Sequence, residues 1–390
     1  MVRSNVKTLK TIHFITYSLL FVSLVTLSIN TFAKDKIYPG ELINIGTHRL
    51  HIHCIGTGSP SVIIDSGIGG FSLEWIKVQN NLSENVRICS YDRAGYGWSD
   101  PGPRPRTTER ISSELRRLLS AAKVSGPYIL VGHSFGGYNV RYFASKYPQL
   151  TAGLVLVDSS HPEQFDTEEF KRIKLKKNNK YLRYKNSYQV RIVNPVISDN
   201  YPDEFKRTAF LLMSTMKSKS TLLNELDYME ASAKQVSKLT NHPPYSFPVT
   251  ILTRGKRVWA YDDLGDRREQ QWSRLQNDLQ YISMNSNQYL AEESGHIIHL
   301  DQPEFVSNYI LATVDNVRSQ LDELKLVKKF DIRIPSFAAI PSLAGPTTTF
   351  HFHYDDGSQN QESILDKFIQ QVMFDDKMRH FGNHSAYFLR

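Results

Sequence analysis

The chain has 390 residues, of which 40% are hydrophobic and 11% aromatic, and its formal net charge is +8 at pH 7. This composition can bury a core, which excludes wholesale disorder, and the length suits one large domain with insertions or two small domains. The charge excess is modest and accompanies no zinc-finger spacing or RNA-binding aromatic signature, so nucleic acid is not an expected partner.

The first 33 residues have the layout of a secretory signal. Three basic residues and no acidic ones precede an apolar run from Ile12 to Ile29, and small residues follow it up to Ala33. We expect cleavage after Ala33 and an exported chain, periplasmic or secreted. The alternative is an uncleaved N-terminal membrane anchor, although serines and threonines dilute a run that approaches the ~20 residues needed to span a bilayer. In both cases the leading positive charges direct residue 34 and all that follow out of the cytoplasm.

Predicted strands and helices alternate from residue 41 to residue 160. In chain order they are a hairpin within 41–58, a strand and glycine-rich loop at 61–70, a helix at 74–82, a strand from 86, a helix at 106–124, a strand at 128–134, a helix at 136–146 and a strand at 153–160. The strands are continuous apolar runs, and the helices repeat apolar residues every three or four positions. This pattern is typical of a mostly parallel sheet buried on both faces.

The alternation stops between residues 161 and 247, where the sequence is basic, rich in tyrosine and contains only helical patterns. We interpret this segment as a cap inserted between two strands. The pattern resumes with a strand at 247–255, a helix at 267–279, a weak strand at 287–290 and a final helix at 303–324. The predicted domain is therefore 34–324 with its cap at 161–247, and the remaining 325–390 form an extension without an assigned role.

The sequence YILVGHSFGG places Ser134 between a predicted strand and a predicted helix, with Gly132, Gly136 and Gly137 beside it. A sharp strand-to-helix turn needs such glycines, because the backbone of its central residue is strained and its neighbours are crowded. The turn also aims the Phe135 N–H at the oxygen that becomes negative during acyl transfer. Ser134 is therefore a candidate nucleophile, and the alternative is a glycine-rich turn with a bystander serine.

A serine hydroxyl is a poor nucleophile without a base. His296, in the sequence Ser294-Gly295-His296, follows the last predicted strand and precedes a helix. The chain order serine, acid, histidine then fits the hydrolases that carry their serine in a strand-to-helix turn. His161 and His299 are the alternative bases, and His299 is better explained as a residue at the entry of a helix.

Five motifs, in this order, make residues 50–306 without the cap resemble the α/β-hydrolase superfamily: DSGIGG, YDRAGYGWSD, GPYILVGHSFGG, GLVLVDSSHP and SGHIIHLDQPE. The resemblance implies the α/β-hydrolase fold, a mostly parallel twisted sheet with helices on both faces and a helical cap. It also implies that the Ile68 N–H, in the loop after the third strand, joins the Phe135 N–H in the oxyanion hole. The family usually opens this loop with His-Gly, whereas this chain has Ser66-Gly67.

The resemblance offers two positions for the acid. In most relatives the acid lies about three residues past the glycine of VTILTRG, but that position is Val258 here, and three aspartates follow later: Asp262, Asp263 and Asp266. In some relatives similar to haloalkane dehalogenases the acid ends the strand after the nucleophile helix, where Asp158 lies. We assign Asp158 and keep the three later aspartates as alternatives. At either position the carboxylate orients the imidazole and stabilises the imidazolium.

The same strand order places the strands of Cys54 and Cys89 side by side. If both side chains point to the same face, a cross-strand disulfide can form in the oxidising compartment that an exported protein meets. Otherwise the two cysteines are small buried hydrophobic residues. Both interpretations stay open at the level of sequence.

The sequence thus predicts an exported serine hydrolase that cleaves carboxylic esters, or amides or thioesters, through an acyl-enzyme on Ser134 without a cofactor or metal. Epoxide hydrolases and haloalkane dehalogenases are disfavoured, since they use an aspartate at this position. The alternatives are a C–C hydrolase or peptidase of the same superfamily and a non-catalytic exported binding protein. The expected partner is a small-molecule ester.

The basic run at 171–186 of the cap is either a solvated face or a contact for anionic substrates or a membrane surface.

Overall fold

The computed structural model describes residues 39–165, 197–239 and 244–329, with side chains described up to residue 323. These residues all belong to one compact unit of the chain. The predicted signal segment, the basic run at 171–186 and residues 330–390 of the predicted extension lie outside the described residues.

The described strands form a single sheet. They are β1 (Glu41–Asn44), β2 (Arg49–Ile55), β3 (Ser61–Asp65), β4 (Ile88–Tyr91), β5 (Tyr128–His133), β6 (Thr151–Val157), β7 (Val249–Arg254) and β8 (Ser286–Ala291). Their order across the sheet is β1-β2-β4-β3-β5-β6-β7-β8. β2 pairs antiparallel with β1 and β4, and all neighbours from β4 to β8 are parallel. The predicted hairpin and mostly parallel sheet are confirmed.

Nine α-helices accompany the sheet in the described ranges. They are α1 (Ile76–Leu82), α2 (Thr108–Ala121), α3 (Gly136–Lys146), α4 (Asp203–Ser214), α5 (Met216–Asp227), α6 (Met229–Ser237), α7 (Asp263–Asp278), α8 (Ile298–Asp301) and α9 (Pro303–Lys329). Helices α4, α5 and α6 lie in the segment predicted as the cap. No helix within the described ranges has both the length and the apolar character needed to cross a bilayer.

The two faces of the sheet build two apolar cores, because successive side chains of a strand point to opposite sides. Ile63 and Leu130 pack under α2 and α3, whereas Ile64 and Val131 pack under α1 and α9. Full burial of such an aliphatic side chain contributes about 1.5–3 kcal/mol to folding. Helices therefore cover both faces as predicted, and the strand ends remain at the edge of the sheet for a site.

Several boundaries differ from the sequence prediction, and the final helix α9 runs to Lys329 instead of ending near residue 324. The weak strand predicted at 287–290 is the full-length strand β8, which pairs along the whole of β7. Helix α7 begins at Asp263 instead of near residue 267, because the Asp262 side chain accepts a hydrogen bond from the Gly265 N–H at 2.6 Å. This bond satisfies one of the N–H groups that a helix start leaves without a backbone partner, so the helix is stable from that point.

Cys54 and Cys89 form a disulfide in the structure. They are directly opposite each other in the antiparallel pair of β2 and β4. The family strand order placed these strands together, but only the register decides that the two cysteines face each other, because a slip of one residue would turn one side chain to the opposite face.

Candidate active site

Ser134 occupies the turn between β5 and α3 with a backbone φ of +50°. Residues other than glycine rarely adopt this conformation, and they cluster at functional sites when they do. Two hydrogen bonds hold the turn here. The Ser134 N–H donates to Val157 O at 3.1 Å, and the Ser160 N–H donates to Ser134 O at 3.0 Å. The end of β6 therefore supports the strained backbone that carries the hydroxyl.

The glycines around Ser134 allow close backbone packing. A Cβ at Gly136 would clash with the carbonyl oxygen of Asp65, and a Cβ at Gly137 would clash with the side chain of Ser159. Helix α3 can therefore start directly against the ends of β3 and β6. This is the crowding that the glycine spacing of the sequence indicates.

Three side chains from distant parts of the chain meet at the carboxyl edge of the parallel strands, where α/β sheets bind their ligands. His296 Nε2 lies 3.0 Å from Ser134 Oγ, and His296 Nδ1 lies 2.6 Å from Asp158 Oδ2. An ionised carboxylate only accepts hydrogen bonds, so Nδ1 donates to Asp158 and the Nε2 lone pair faces the serine hydroxyl. The arrangement can take a proton from Ser134 and hold the resulting imidazolium beside a carboxylate.

Asp158 is buried directly after β6, with a φ of +38°. Its carboxylate also accepts hydrogen bonds from the Trp272 indole N–H at 2.8 Å and from Arg254 Nη1 at 3.0 Å. Burial by itself raises the pKa of Asp158, but the hydrogen bond and charge of His296, followed by Arg254 and Trp272, bring this pKa below its ordinary value. The buried carboxylate is therefore ionised at neutral pH.

The other three candidate acids have different partners. Asp262 caps α7, and Asp266 forms an ion pair with Arg257 on the surface. Asp263 is exposed in the first turn of the same helix. The carboxylate that the structure brings to His296 is thus that of Asp158.

The two alternative histidines also have other surroundings. His299 is buried in α8 and stacks on Trp75 with ring centroids 4.0 Å apart. Burial, followed by the charge of His296, lowers the pKa of His299 to about 3. His161 accepts a hydrogen bond from the Glu163 N–H at 3.2 Å, and burial lowers its pKa to about 3. Both rings are neutral near pH 7, and the base next to Ser134 is His296.

His133, the residue before Ser134, contributes to the site although its sequence context predicts no role for it. Its Nε2 donates to the backbone carbonyl of His296 at 2.9 Å. Burial lowers the pKa of His133 well below its usual value, with further contributions from the neighbouring histidines. A neutral imidazole therefore anchors the loop that carries His296. The only sequence signal for this role of His133 was its position next to Ser134.

The two residues predicted to supply oxyanion-hole N–H groups both lie close to Ser134. Phe135 immediately precedes α3, where the first N–H groups have no partner within the helix. Ile68 lies in a tight turn closed by the Gly70 N–H and Gly67 O at 3.1 Å, and its side chain packs on the cluster that contains Phe135. A Cβ at Gly67 would lie 3.3 Å from the Ser134 Cβ, so this loop passes directly beside the serine.

The buried side chain of Arg93 holds the Ser66-Gly67 loop in place. Its guanidinium donates to Ser66 O at 2.5 Å and to Gly67 O at 2.8 Å. The same buried guanidinium forms a bidentate pair with Glu225 of helix α5, with both distances 2.9 Å. Arg93 therefore ties the loop beside Ser134 to the cap segment, a contact that the YDRAGYG motif alone does not predict.

We expect Glu225→Ala to destabilise the protein by about 3 kcal/mol, because it removes one of the two carboxylates that balance the buried Arg93 charge. Asp65, 2.9 Å from Arg93 Nη1, remains as the other. Urea unfolding of the variant measures the loss. Glu230→Ala is the matched control, since Glu230 forms a partly exposed pair with Lys234 on the neighbouring helix and should change stability by less than about 1 kcal/mol. Equal losses of unfolding free energy in the two variants would show that the buried Arg93–Glu225 pair stabilises the fold no more than the partly exposed pair does.

A cavity of about 440 Å³ opens onto Ser134 and His296. Its walls are mostly apolar and include Phe165, Met229 and Leu275, with Trp259 and Trp272 on one side. Such a lining can hold an apolar group next to the serine hydroxyl, while polar side chains that also face the cavity, among them Gln164 and Gln271, can fix its orientation.

Comparison with known proteins places these features in a family. A family profile described as "alpha/beta hydrolase fold" matches residues 60–303. Over 127 residues the chain is 38% identical to a probable transporter, efuK, of Hormonema carpetanum, a match that covers 30% of this chain and 18% of that protein. It is also 26% identical over 257 residues to protein YqjL of Bacillus subtilis (strain 168), covering 65% of this chain and 83% of that protein. The chain thus spans less than a fifth of the first of these relatives and most of the second.

Among solved structures, a thermophilic esterase from Thermogutta terrifontis aligns with a TM-score of 0.52 and 19% identity, covering 72% of this chain and 99% of that one. At this identity the likeness concerns the fold alone. The profile match over more than half of the chain agrees with the sheet order, the strained serine turn and the position of His296 after the last strand. The chain belongs to the alpha/beta-hydrolase family.

Proposed function

We propose that the protein is an exported serine hydrolase that cleaves carboxylic esters through an acyl-enzyme on Ser134. The observation that carries this proposal is the chain of two hydrogen bonds from Ser134 through His296 to Asp158, at 3.0 and 2.6 Å, beside an apolar cavity. The signal-like pattern of the first 33 residues supports the export.

The proposed reaction uses each group in turn. His296 Nε2 takes the proton of Ser134 as Oγ attacks the ester carbonyl, and the Phe135 and Ile68 N–H groups stabilise the oxygen that becomes negative. His296 then gives the proton to the leaving alcohol. Water activated by the same imidazole releases the acid and restores the serine. Asp158 stays ionised throughout and stabilises the imidazolium.

The largely apolar surface of the cavity favours esters over peptides. A peptide substrate would bring polar amide groups that need hydrogen-bond partners in the pocket, and burying them without partners costs free energy. An ester of a small apolar acid or alcohol has one carbonyl to bind and otherwise buries apolar surface.

A fluorophosphonate probe tests the proposal, because it reacts only with a serine that is activated as a nucleophile. We expect the wild-type chain, recovered from the extracytoplasmic fraction, to carry the label on the peptide that contains Ser134. The variant Ser113→Ala, which alters an exposed serine of α2, should label equally well. A wild-type chain that stays unlabelled while a known serine hydrolase reacts would favour a non-catalytic binding protein.

A further inference from the structure

Arg254, the last residue of β7, contacts the same carboxylate as the imidazole. Its Nη1 donates to Asp158 Oδ2 at 3.0 Å, and His296 Nδ1 donates to that same oxygen at 2.6 Å. The Arg254 N–H also donates to Asp158 Oδ1 at 3.3 Å. The arginine side chain is 2% exposed, so its charge lies next to the acid in a region with little water.

The opposite side of the guanidinium is tied to the wall of the cavity. Arg254 Nη2 donates to Glu269 Oε2 at 2.9 Å. The other oxygen of Glu269 accepts the N–H groups of Val258 and Trp259, at 2.7 and 3.0 Å. The guanidinium carbon also lies 4.7 Å from the ring centroid of Trp259 and 5.1 Å from that of Trp272. These contacts fix the arginine in one orientation.

The charge of Arg254 acts on a pair whose other neighbours are mostly neutral. His133 and His299 are neighbouring imidazoles of His296, and their lowered pKa values keep both uncharged near neutral pH. The Asp301 carboxylate accepts hydrogen bonds from the Gly295 N–H at 2.9 Å and from the Ser294 hydroxyl at 3.1 Å, in the loop that carries His296. Glu269 balances part of the arginine charge from the other side. Arg268 lines the same cavity from α7. Arg254 is therefore the cation in direct contact with Asp158.

We propose that Arg254 is a positioning residue that orients Asp158 and lowers the proton affinity of the Asp158–His296 pair, so that hydrolysis continues at more acidic pH. The reason is electrostatic, because a fixed positive charge beside the pair disfavours the uptake of another proton. Hydrolysis needs the imidazole unprotonated, so this charge extends activity downward in pH. The expected effect of Arg254 on hydrolysis rests on the proposed function, whereas its expected effect on the proton affinity of the pair does not.

The pH profile of kcat/KM for a p-nitrophenyl ester tests this role in Arg254→Gln. We expect the acidic midpoint of the profile to move upward by about one pH unit, since removal of the cation lets the pair take up a proton more readily. Arg254→Lys keeps the charge and should return the midpoint close to that of the wild type. Lys256→Gln removes an exposed charge two residues away, 56% exposed, and should leave the profile unchanged.

NMR titration of the His296 ring in a Ser134→Ala background gives the same shift without any turnover. If Arg254→Gln does not fold, Glu269→Gln replaces it, because loss of this carboxylate leaves the arginine charge less balanced and should move the midpoint downward. An unchanged midpoint in folded Arg254→Gln, by kinetics and by NMR, would overturn the inference. If the wild type shows no esterase activity but Arg254→Gln still moves the His296 midpoint measured by NMR, the proposed function is refuted. The role of Arg254 then remains intact.

Discussion

Ser134→Ala should reduce kcat for p-nitrophenyl ester hydrolysis by about a million-fold, the size of loss seen when a triad nucleophile is removed. Without Oγ no acyl-enzyme can form, and the imidazole of His296 has no proton to take. The remaining rate should come from binding and oxyanion stabilisation alone. Initial rates at saturating substrate measure the change.

The variant should keep its fold, because alanine replaces only a hydroxyl and the backbone bonds of Ser134 to the end of β6 are retained. Circular dichroism and thermal melting check this point, with Ser113→Ala as the control for a serine outside the site. Turnover that survives in a folded Ser134→Ala chain would place the nucleophile elsewhere and would contradict the proposed function.

Asp158→Asn should lower kcat by about 10⁴-fold while leaving the shape of the site almost unchanged. The amide that replaces the carboxylate can present an N–H to His296 Nδ1, which then becomes the acceptor. The proton moves to Nε2, and the imidazole can no longer accept from Ser134. The loss should therefore appear in kcat with little change in KM.

Asp263→Asn is the matched control for this prediction. Asp263 is an exposed member of the alternative acid group and should tolerate the change with turnover within about two-fold of the wild type, as expected for a surface substitution. A large loss in Asp263→Asn with normal turnover in Asp158→Asn would reverse the assignment. Normal turnover in both variants would remove both residues as the acid.

The different environments of Asp158 and Asp263 show what the sequence could not predict about the site. Asp158 lies near the end of a predicted strand, and Asp263 lies between a predicted strand and a predicted helix. Both positions are near the same end of the sheet, and only the family resemblance favoured Asp158. The structure separates them by burial and by the partners of Asp158, which are Trp272, Arg254 and His296. All three partners come from positions about a hundred residues or more later in the chain.

The sequence by itself determined the alternation of strands and helices, the glycine-crowded turn at Ser134 and the late position of His296. These features depend on side-chain periodicity and on turn sterics, which neighbouring residues along the chain decide among themselves.

Only the tertiary structure decided the pairing of Cys54 with Cys89, the link from Arg93 to Glu225 and the contact of Arg254 with Asp158. Each of these depends on strand register or on how a distant helix packs against the sheet. No local pattern encodes such a contact, because its free energy arises only when both partners are buried together.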